Sequence, residues 1–308
     1  MDCDPGIDDA VALACAAASR DSLQICGIST VAGNQTSERV TNNALKLASF
    51  LDMEDVPVVR GARGPLVRTV IAPSDHIHGK TGLGDCELPQ TAKELASDNG
   101  LLFLRDTILA LPERENITLV PTGPLTNIAL LLKTFPEVRP RIEQIVLMGG
   151  SSIGGNRTAS AEFNIWVDPE AAKIVFDSGL PIVMCGLDIT RQCGLTREQI
   201  GTLSVGDTPK MRAYGEMLQF YCDSIVYAGH EIISIHDAAT ILYLTHPELF
   251  AGIRLSVDVD CTDSINRGMT VCDKRGGLEP EQANVLLLDR IDEIGVQDVI
   301  MEKLCEEE

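Results

Sequence analysis

The sequence predicts an α/β protein with a mostly parallel central sheet flanked by helices on both faces. Short, β-branched apolar runs alternate along the chain with helix-length amphipathic runs, which is the pattern of parallel strands joined by crossover helices. Several apolar runs end in small or turn residues, as in STVAGN, LVPTGP and LMGGSS. No repeat, low-complexity tract or linker divides the 308 residues, so we expect one domain over 1–308.

The elements follow in order along the chain. Segments that are typical of strands are 23–31, 56–59, 117–123, 145–150 and 181–188. Segments that are typical of helices are the run from Ala10, 37–51, 124–135, 168–179 and 207–229. The stretch 61–99 lacks clear periodicity, and a loop of that length is usually functional or disordered. RLSVDVDCT, GMTVCD and ANVLLLD near the end indicate strands, with an antiparallel arrangement as one option, before a terminal helix.

Charge and composition exclude several classes of partner. The formal net charge of -20 repels nucleic-acid backbones and anionic membranes. No stretch approaches the roughly 18 apolar residues of a membrane span, and no basic-then-apolar signal opens the chain. None of the ten cysteines stands in a C-x-x-C pair, so they are expected as small core residues in a reduced, cytoplasmic protein.

Four aspartates stand in the opening segment MDCDPGIDDA, at positions 2, 4, 8 and 9. A helix N-terminus, which favours acidic residues, would explain Asp8 and Asp9. It leaves Asp2 and Asp4 at the end of a predicted strand, so a strand-turn-helix unit would bring at least three carboxylates together. Carboxylates crowded within a few ångströms are stabilised by a shared proton or by a bound cation. Oxygen ligands of this kind favour Ca²⁺ or Mg²⁺.

The segment DCDPGIDDA resembles the N-terminal signature of the inosine-uridine-preferring nucleoside hydrolases, which cleave the N-glycosidic bond of ribonucleosides. Further segments match the family in order: VAGNQT (31–36), DHIHGKTGLG (75–84), ITLVPTGPLTNIA (117–129), IVLMGG (145–150), AEFNIWVDPEAA (161–172) and IHDAAT (235–240). The resemblance implies a single Rossmann-like nucleoside hydrolase domain, Ca²⁺ as cofactor, a ribonucleoside substrate (purine, pyrimidine or both), ribose and free base as products, and a homo-oligomer, either a dimer or a tetramer. Only Met1 precedes Asp2, where family members usually have several residues, so either the start is truncated or the first strand is very short.

The resemblance also implies roles for individual residues. Asp4, Asp9, Asp237 and the backbone carbonyl of Thr122 are implied as Ca²⁺ ligands, with Asp4 also as the general base that takes a proton from water. The implied ribose contacts are Asp8, Asn34, Asn156, Glu162 and Asn164. His236 is implied as the residue that assists the departing base.

Some candidates have an ordinary structural explanation beside the functional one. Asp237 precedes an apolar helix and could be a plain cap. His76 and His78 lie in a glycine-containing loop that closes over substrate in the family, so His78 is a candidate nucleoside contact. Met148, at a strand end, is more often a core residue, although the family has a methionine near the sugar. The aromatic candidates for flanking the base, more often packing residues, are Phe163, Trp166 and Tyr227.

Two other functions stay open at the level of sequence. A non-catalytic nucleoside or ribose binder would keep the sugar contacts and lose turnover. The presence of both Asp4 and His236 favours the enzyme over this alternative. A phosphatase is a weaker alternative, because no Lys or Arg motif is placed for phosphate.

Overall fold

The computed structural model describes residues 1–68, 74–224, 226, 228–276 and 283–306. The strands are β1 (Asp2–Cys3), β2 (Ile28–Thr30), β3 (Val58–Arg60), β4 (Ile117–Leu119), β5 (Ile142–Met148), β6 (Ile182–Cys185), β7 (Gly194–Thr196), β8 (Ile232–Ser234), β9 (Phe250–Leu255), β10 (Val257–Val259), β11 (Thr270–Cys272) and β12 (Val285–Ile291). The helices are α1 (Ile7–Ala17), α2 (Ser37–Phe50), α3 (Asp75–His78), α4 (Gly100–Ala110), α5 (Thr126–Thr134), α6 (Phe163–Val167), α7 (Pro169–Phe176), α8 (Leu187–Thr190), α9 (Arg197–Ser204), α10 (Pro209–Asp223), α11 (Ala238–Thr245) and α12 (Glu293–Cys305).

The central sheet is mostly parallel, as the sequence predicts. Strands β1, β2 and β3 pair in parallel, and so do β4, β5, β6 and β12, while β9 runs antiparallel beside β12. Hydrogen bonds from Asp2 N to Val120 O and from Thr122 N to Asp2 O, both 2.9 Å, join β1 to the chain that continues β4. The full order is therefore β3-β2-β1-β4-β5-β6-β12-β9.

The sheet reverses its winding direction between β1 and β4. The order 3-2-1-4-5-6 is that of doubly wound Rossmann-like sheets, in which ligands bind outside the carboxyl ends of the strands at this switch point. Asp4 follows β1 and Thr122 follows β4 after two intervening residues. The topology therefore places both beside the position where a ligand is expected.

Helix α1 is apolar on all sides and is buried from Ile7 to Ala16. It packs against α11 and α12, so the chain that carries the aspartates is held on every side by the core. The helix begins three residues before the predicted start at Ala10, because the Asp9 carboxylate accepts a hydrogen bond from the Gly6 N–H at 3.0 Å and caps the first turn.

The bounds of other elements also differ from the predicted bounds. The first strand is only two residues long, and the predicted strand 23–31 is regular only over β2. The predicted helix 207–229 ends at Asp223. Within 61–99 the structure has a short helix, α3. Near the end of the chain, β9 pairs with β12 and β10 with β11 in antiparallel fashion, but β12 joins β6 in parallel.

Two further expectations concern membrane spans and cysteines. Over the described ranges, no helix combines the length and apolar character needed to cross a bilayer. All ten cysteines are free thiols, and six of them are buried, which agrees with their expected role as small core residues.

Candidate active site

Strand β1, helices α1 and α11 and the β7–β8 pair bring the acidic residues together. Asp4 follows β1, the Pro5-Gly6 turn leads into α1, and Asp8 and Asp9 stand in the first turn of that helix. Asp237 directly precedes α11, and the β7–β8 pair positions the chain that leads to it. The Asp237 side chain makes no capping hydrogen bond to α11, so the plain-cap explanation does not account for it.

The Asp4 carboxylate occupies space that is available only because two neighbouring residues are glycines. A Cβ atom added at Gly33 would lie 2.1 Å from Asp4 Oδ2, and one at Gly123 would lie 2.5 Å from Asp4 Oδ1. Oδ2 accepts a hydrogen bond from the Asn34 backbone N–H at 2.6 Å. Oδ1 is buried and has no hydrogen-bond partner among the residues that the structure describes. A buried, unpartnered carboxylate oxygen is costly, which indicates that a ligand or water completes this position.

Asp9 is the best satisfied of the cluster. Its Oδ2 accepts from Gly6 N at 3.0 Å and from Asn34 Nδ2 at 3.3 Å, and its Oδ1 accepts from Thr122 Oγ1 at 2.8 Å. Oxygen atoms of Asp8, Asp9 and Asp237 all lie within 4.8 Å of one another, which is close enough to share one cation. Asp4 is not in this group of three. Asp8 is in it, although the resemblance implies only a ribose contact for Asp8.

Burial and mutual repulsion determine the protonation of the cluster. Burial, together with the charge of the neighbouring Asp8, raises the pKa of Asp9 to about 7. Burial also raises the pKa of Asp237 and of Asp4 well above the usual range, with Asp8 and Asp9 respectively as the largest charged contributors. Crowded oxygen donors of this kind fit a hard divalent cation, because such a cation would compensate their repulsion.

A cavity of about 690 Å³ opens above the carboxylates. The sequence-predicted residues that line it are Asp8, Asn34, His78, Thr122, Met148, Asn156, Glu162, Phe163, Asn164, His236 and Asp237. Asp4 and Asp9 are 0% and 1% exposed and lie beneath its floor. A smaller cavity, about 370 Å³, lies near Met1 and is lined by Asp2 but by none of the other aspartates of the opening segment. Most of the predicted catalytic and binding residues therefore line the larger cavity.

Helix α6 and the turn before it form one polar wall. Glu162 accepts hydrogen bonds from the backbone N–H groups of Gly150 (3.0 Å), Asn164 (3.0 Å) and Ile165 (3.2 Å). Burial nevertheless raises the pKa of Glu162 to about 7. Asn164 Nδ2 donates to Thr122 O at 2.7 Å and to Met148 O at 3.2 Å. This wall is thus tied directly to the carbonyl that the resemblance implies as a cation ligand.

The other two predicted residues at this wall lie nearer to its edge. Asn156 Oδ1 accepts a hydrogen bond from the Phe163 backbone N–H at 2.9 Å. Both side chains face the cavity, which places the aromatic ring of Phe163 within reach of a ligand.

Four histidines line the cavity, at positions 76, 78, 230 and 236, and the two predicted as site residues come from different elements. His236 Nδ1 lies 2.9 Å from Thr190 Oγ1, at the end of α8. His78, at the end of α3, is 5% exposed, and its Nδ1 accepts a hydrogen bond from Ile7 N at 3.2 Å. Burial lowers the pKa of both histidines, although the charge of Asp8 opposes this. Both are therefore mostly neutral near pH 7.

Sequence reasoning missed several residues of the site. Tyr221 lines the cavity, but its position on an amphipathic helix resembles that of a core residue. Arg157 and Arg191 also line it. The Trp166 ring lies between the guanidinium groups of Arg68 (4.3 Å) and Arg157 (4.4 Å) and is absent from the described cavity lining. Tyr227, the other aromatic candidate, lies outside the described residues.

The switch-point cavity, the buried carboxylates and the two histidines define an α/β enzyme that can hold a divalent cation beneath a polar small molecule. Residues 1–298 match the model of the family described as inosine-uridine preferring nucleoside hydrolase. The chain is 43% identical over 310 residues to a pyrimidine-specific ribonucleoside hydrolase, RihA, of Photobacterium profundum, covering 99% of this chain and 97% of the relative. It is 42% identical over 311 residues to the RihA of Shewanella woodyi, covering 99% and 96%.

Solved structures agree with these relatives. A purine-preferring ribonucleoside hydrolase from Gardnerella vaginalis superposes with a TM-score of 0.90 at 30% identity, covering 99% of this chain and 96% of that one. A plant nucleoside hydrolase, the PpNRh1 enzyme, gives a TM-score of 0.89 at 30% identity, covering 99% and 98%. The chain belongs to the inosine-uridine preferring nucleoside hydrolase family. It is therefore an enzyme, a ribonucleoside hydrolase, which confirms the predicted family and replaces the non-catalytic and phosphatase alternatives.

Proposed function

We propose that this ribonucleoside hydrolase depends on Ca²⁺ and acts preferentially on pyrimidine ribonucleosides, releasing ribose and the free base. The observation that carries the proposal is the unpartnered Oδ1 of Asp4, which lies buried beside three further carboxylates under a cavity of about 690 Å³. The base preference is supported by the names of the relatives at 43% and 42% identity. The purine-preferring structure is more distant, at 30% identity.

The reaction explains why acidic groups lie under the sugar. Cleavage of an N-glycosidic bond passes through a ribosyl cation, so the enzyme needs a nucleophile, negative charge near the ring and help for the leaving base. Asp4, Asp9, Asp237 and the Thr122 carbonyl would hold Ca²⁺, and Asp8 is close enough to contribute. When bound, Ca²⁺ supplies the positive charge that lets these carboxylates ionise and makes a nearby water more acidic.

Asp4 is the general base in this proposal. Its Oδ2 is fixed by the Asn34 N–H, so its free Oδ1 is the oxygen that takes the proton from the attacking water. Gly33 and Gly123 lie directly against the carboxylate, because a Cβ atom at either position would clash with it. Fixed orientation lowers the cost of bringing base, water and sugar together.

The sugar lies between the aspartate floor and the α6 wall. Asp8 and Asn34 would bind ribose hydroxyls from one side, and Asn156, Glu162 and Asn164 from the other. Met148, Phe163 and His78 also line the cavity and would contact the nucleoside. Because Asn164 also donates to Thr122 O, sugar binding and the cation site share one hydrogen-bond network.

His236 would assist the departing base. It faces the cavity, and the Thr190 hydroxyl holds its Nδ1, which fixes the orientation of the ring. A histidine in this position can donate a hydrogen bond or a proton to the base as the N-glycosidic bond breaks.

Ribose release from uridine, cytidine, inosine and adenosine tests the proposal. Each substrate is assayed with protein stripped by a chelator and with protein reloaded with Ca²⁺ or with Mg²⁺. We expect turnover with Ca²⁺, loss of turnover on chelation, and higher kcat/KM for the two pyrimidine nucleosides. Full activity after complete chelation would refute the Ca²⁺ dependence, and higher kcat/KM for inosine would refute the base preference. A cytoplasmic location and assembly into dimers or tetramers stay predictions from the sequence, the latter testable by light scattering.

A further inference from the structure

The hydroxyl of Tyr221 lies between two residues of the site that come from distant parts of the chain. It donates a hydrogen bond to Asp8 Oδ1 at 3.0 Å, and it is 3.0 Å from His78 Nδ1. Tyr221 is on α10, Asp8 on α1 and His78 on α3. With 1% of its surface exposed, the tyrosine is fixed by the core as well as by these contacts.

The proton positions in this triad follow from the neighbouring backbone. The Ile7 N–H donates to His78 Nδ1 at 3.2 Å, so this nitrogen carries a lone pair and the ring proton is on Nε2. The Tyr221 hydroxyl must therefore act as the donor toward both the nitrogen and the carboxylate. One phenolic proton is shared between two acceptors in a three-centre arrangement.

His78 is closely packed against the aspartate turn. A Cβ atom added at Gly6 would lie 2.6 Å from His78 Nδ1, so the ring lies directly against the turn between Asp4 and Asp8. The rings of His78 and Tyr221 are also in contact, with centroids 5.5 Å apart. The Tyr221 hydroxyl on α10 thus contacts both α3, through His78, and the first turn of α1, through Asp8.

We infer that Tyr221 is a positioning residue for ribose recognition, which holds Asp8 at the sugar and fixes His78 with Nε2–H as its only donor. The inference rests on the proposed function, in which Asp8 binds a ribose hydroxyl. Tyr221 acts through these two residues rather than on the reacting atoms. Its removal should therefore weaken sugar binding more than it slows bond cleavage.

Tyr214 offers a matched control on the same helix. It is fully buried, and its hydroxyl donates a hydrogen bond to the Ala10 carbonyl of α1 at 3.2 Å. Tyr221→Phe and Tyr214→Phe each remove one buried hydroxyl from α10, and only the first lies at the site. Thermal unfolding of both variants compares the structural cost of the two changes.

The decisive measurement compares ligands that differ in one hydroxyl group. KM and kcat are measured with uridine, and 2′-deoxyuridine and 3′-deoxyuridine are measured as competitive inhibitors. In Tyr221→Phe we expect KM for uridine to rise about tenfold, as for loss of a hydrogen bond to a charged group, with a change in kcat below about threefold. One of the two deoxy analogues lacks the hydroxyl that Asp8 binds. Its Ki should differ by less than about twofold between Tyr221→Phe and wild type, because the contact between Asp8 and that hydroxyl is absent in both proteins. Tyr214→Phe should change none of these constants by more than about twofold.

Two results would overturn the inference. One is an equal loss of affinity for uridine and both deoxy analogues in Tyr221→Phe, which a general structural defect would cause. The other is an unchanged KM. If the wild-type protein releases no ribose from any nucleoside, the proposed function fails. Calorimetric binding of the same three ligands, which then occurs without turnover, still tests Tyr221 by the same comparison.

Discussion

One carboxylate oxygen of Asp4, Oδ2, accepts a hydrogen bond, and the other, Oδ1, has no partner among the described residues. The first prediction follows from this difference. Asp4→Asn keeps an oxygen that can accept the Asn34 N–H but removes the basic oxygen. We expect kcat for uridine to fall at least about a hundredfold, the lower range for a general base. Steady-state kinetics at saturating Ca²⁺ measures it, so that any change in cation affinity is separated from the loss of the base.

Asp2→Asn is the matched control for Asp4→Asn. Asp2 is also a buried aspartate, and its Oδ2, like Asp4 Oδ1, has no partner among the described residues, but it lies within β1 and lines the smaller cavity. Its Oδ1 accepts from Ser29 Oγ and Asn127 Nδ2, and an amide oxygen can keep both contacts. Activity in this variant should stay within about tenfold of wild type, as expected for a change outside the reacting groups. Near-normal turnover in Asp4→Asn, or equal losses in the two variants, would remove Asp4 from the role of base.

His236 is predicted to matter most when the leaving base is poor. His236→Ala should lower kcat for natural nucleosides by about a hundredfold, in the range of general acid catalysis, and should affect p-nitrophenyl riboside far less, because nitrophenolate leaves without help. His246→Ala is the control, since His246 Nδ1 also lies 2.9 Å from a threonine hydroxyl, that of Thr245, without lining the described cavity. A uniform loss over both kinds of substrate would place leaving-group assistance elsewhere.

At the level of elements, the turn that begins α6 couples stability to pH. Glu162 caps this helix, and its pKa of about 7 lies above the unfolded value near 4.5, with burial as the cause. The folded state therefore holds a proton that the unfolded state releases. This stabilisation is complete below pH 4.5 and is lost as pH rises toward 7, and it is worth on the order of 3 kcal/mol.

Glu162→Gln removes this titrating group. In the cation-free protein, we expect the free energy of unfolding to fall less steeply between pH 5 and pH 7 in the variant than in the wild type. Urea unfolding at several pH values measures the two slopes. Glu248→Gln, on a 3-10 helix away from the cavity, is the control and should leave the slope unchanged. Identical slopes for Glu162→Gln and wild type would mean that Glu162 is already ionised at pH 5.

Elements also show how far the sequence can predict this structure. Helix α2 is observed over Ser37–Phe50 against a predicted 37–51, because its N-cap and apolar spacing are both local signals. Strand β12, in contrast, pairs in parallel with β6 and antiparallel with β9, an arrangement that depends on partners far away in the chain. The same limit applies within the site. Asp4 is recognisable from its own motif, whereas Tyr221 reaches Asp8 across 213 positions and has no local signature.

The whole molecule carries a net charge of -20, so its stability should respond to cations in two ways. Any salt screens the repulsion among surface carboxylates, and this effect is not specific. A cation bound by the proposed ligands Asp9 and Asp237 would instead compete with protons, because burial raises the pKa of Asp9 to about 7 and that of Asp237 well above its usual range. The affinity of the site for the cation is therefore expected to increase as pH rises, whereas screening by salt does not depend on the protonation of these buried carboxyl groups.

This difference gives the last prediction. At pH 8, saturating Ca²⁺ should raise Tm by about 6 °C over chelated protein, since occupancy at a thousand times Kd contributes about 4 kcal/mol and a chain of 308 residues shifts about 1.5 °C per kcal/mol. At pH 6 the shift should be smaller, because protons occupy the raised-pKa carboxyl groups. Differential scanning fluorimetry at constant ionic strength measures both. Asp237→Asn should lose most of the Ca²⁺ shift and keep the response to NaCl, whereas an equal Ca²⁺ shift in this variant would assign the effect to the acidic surface rather than to the site.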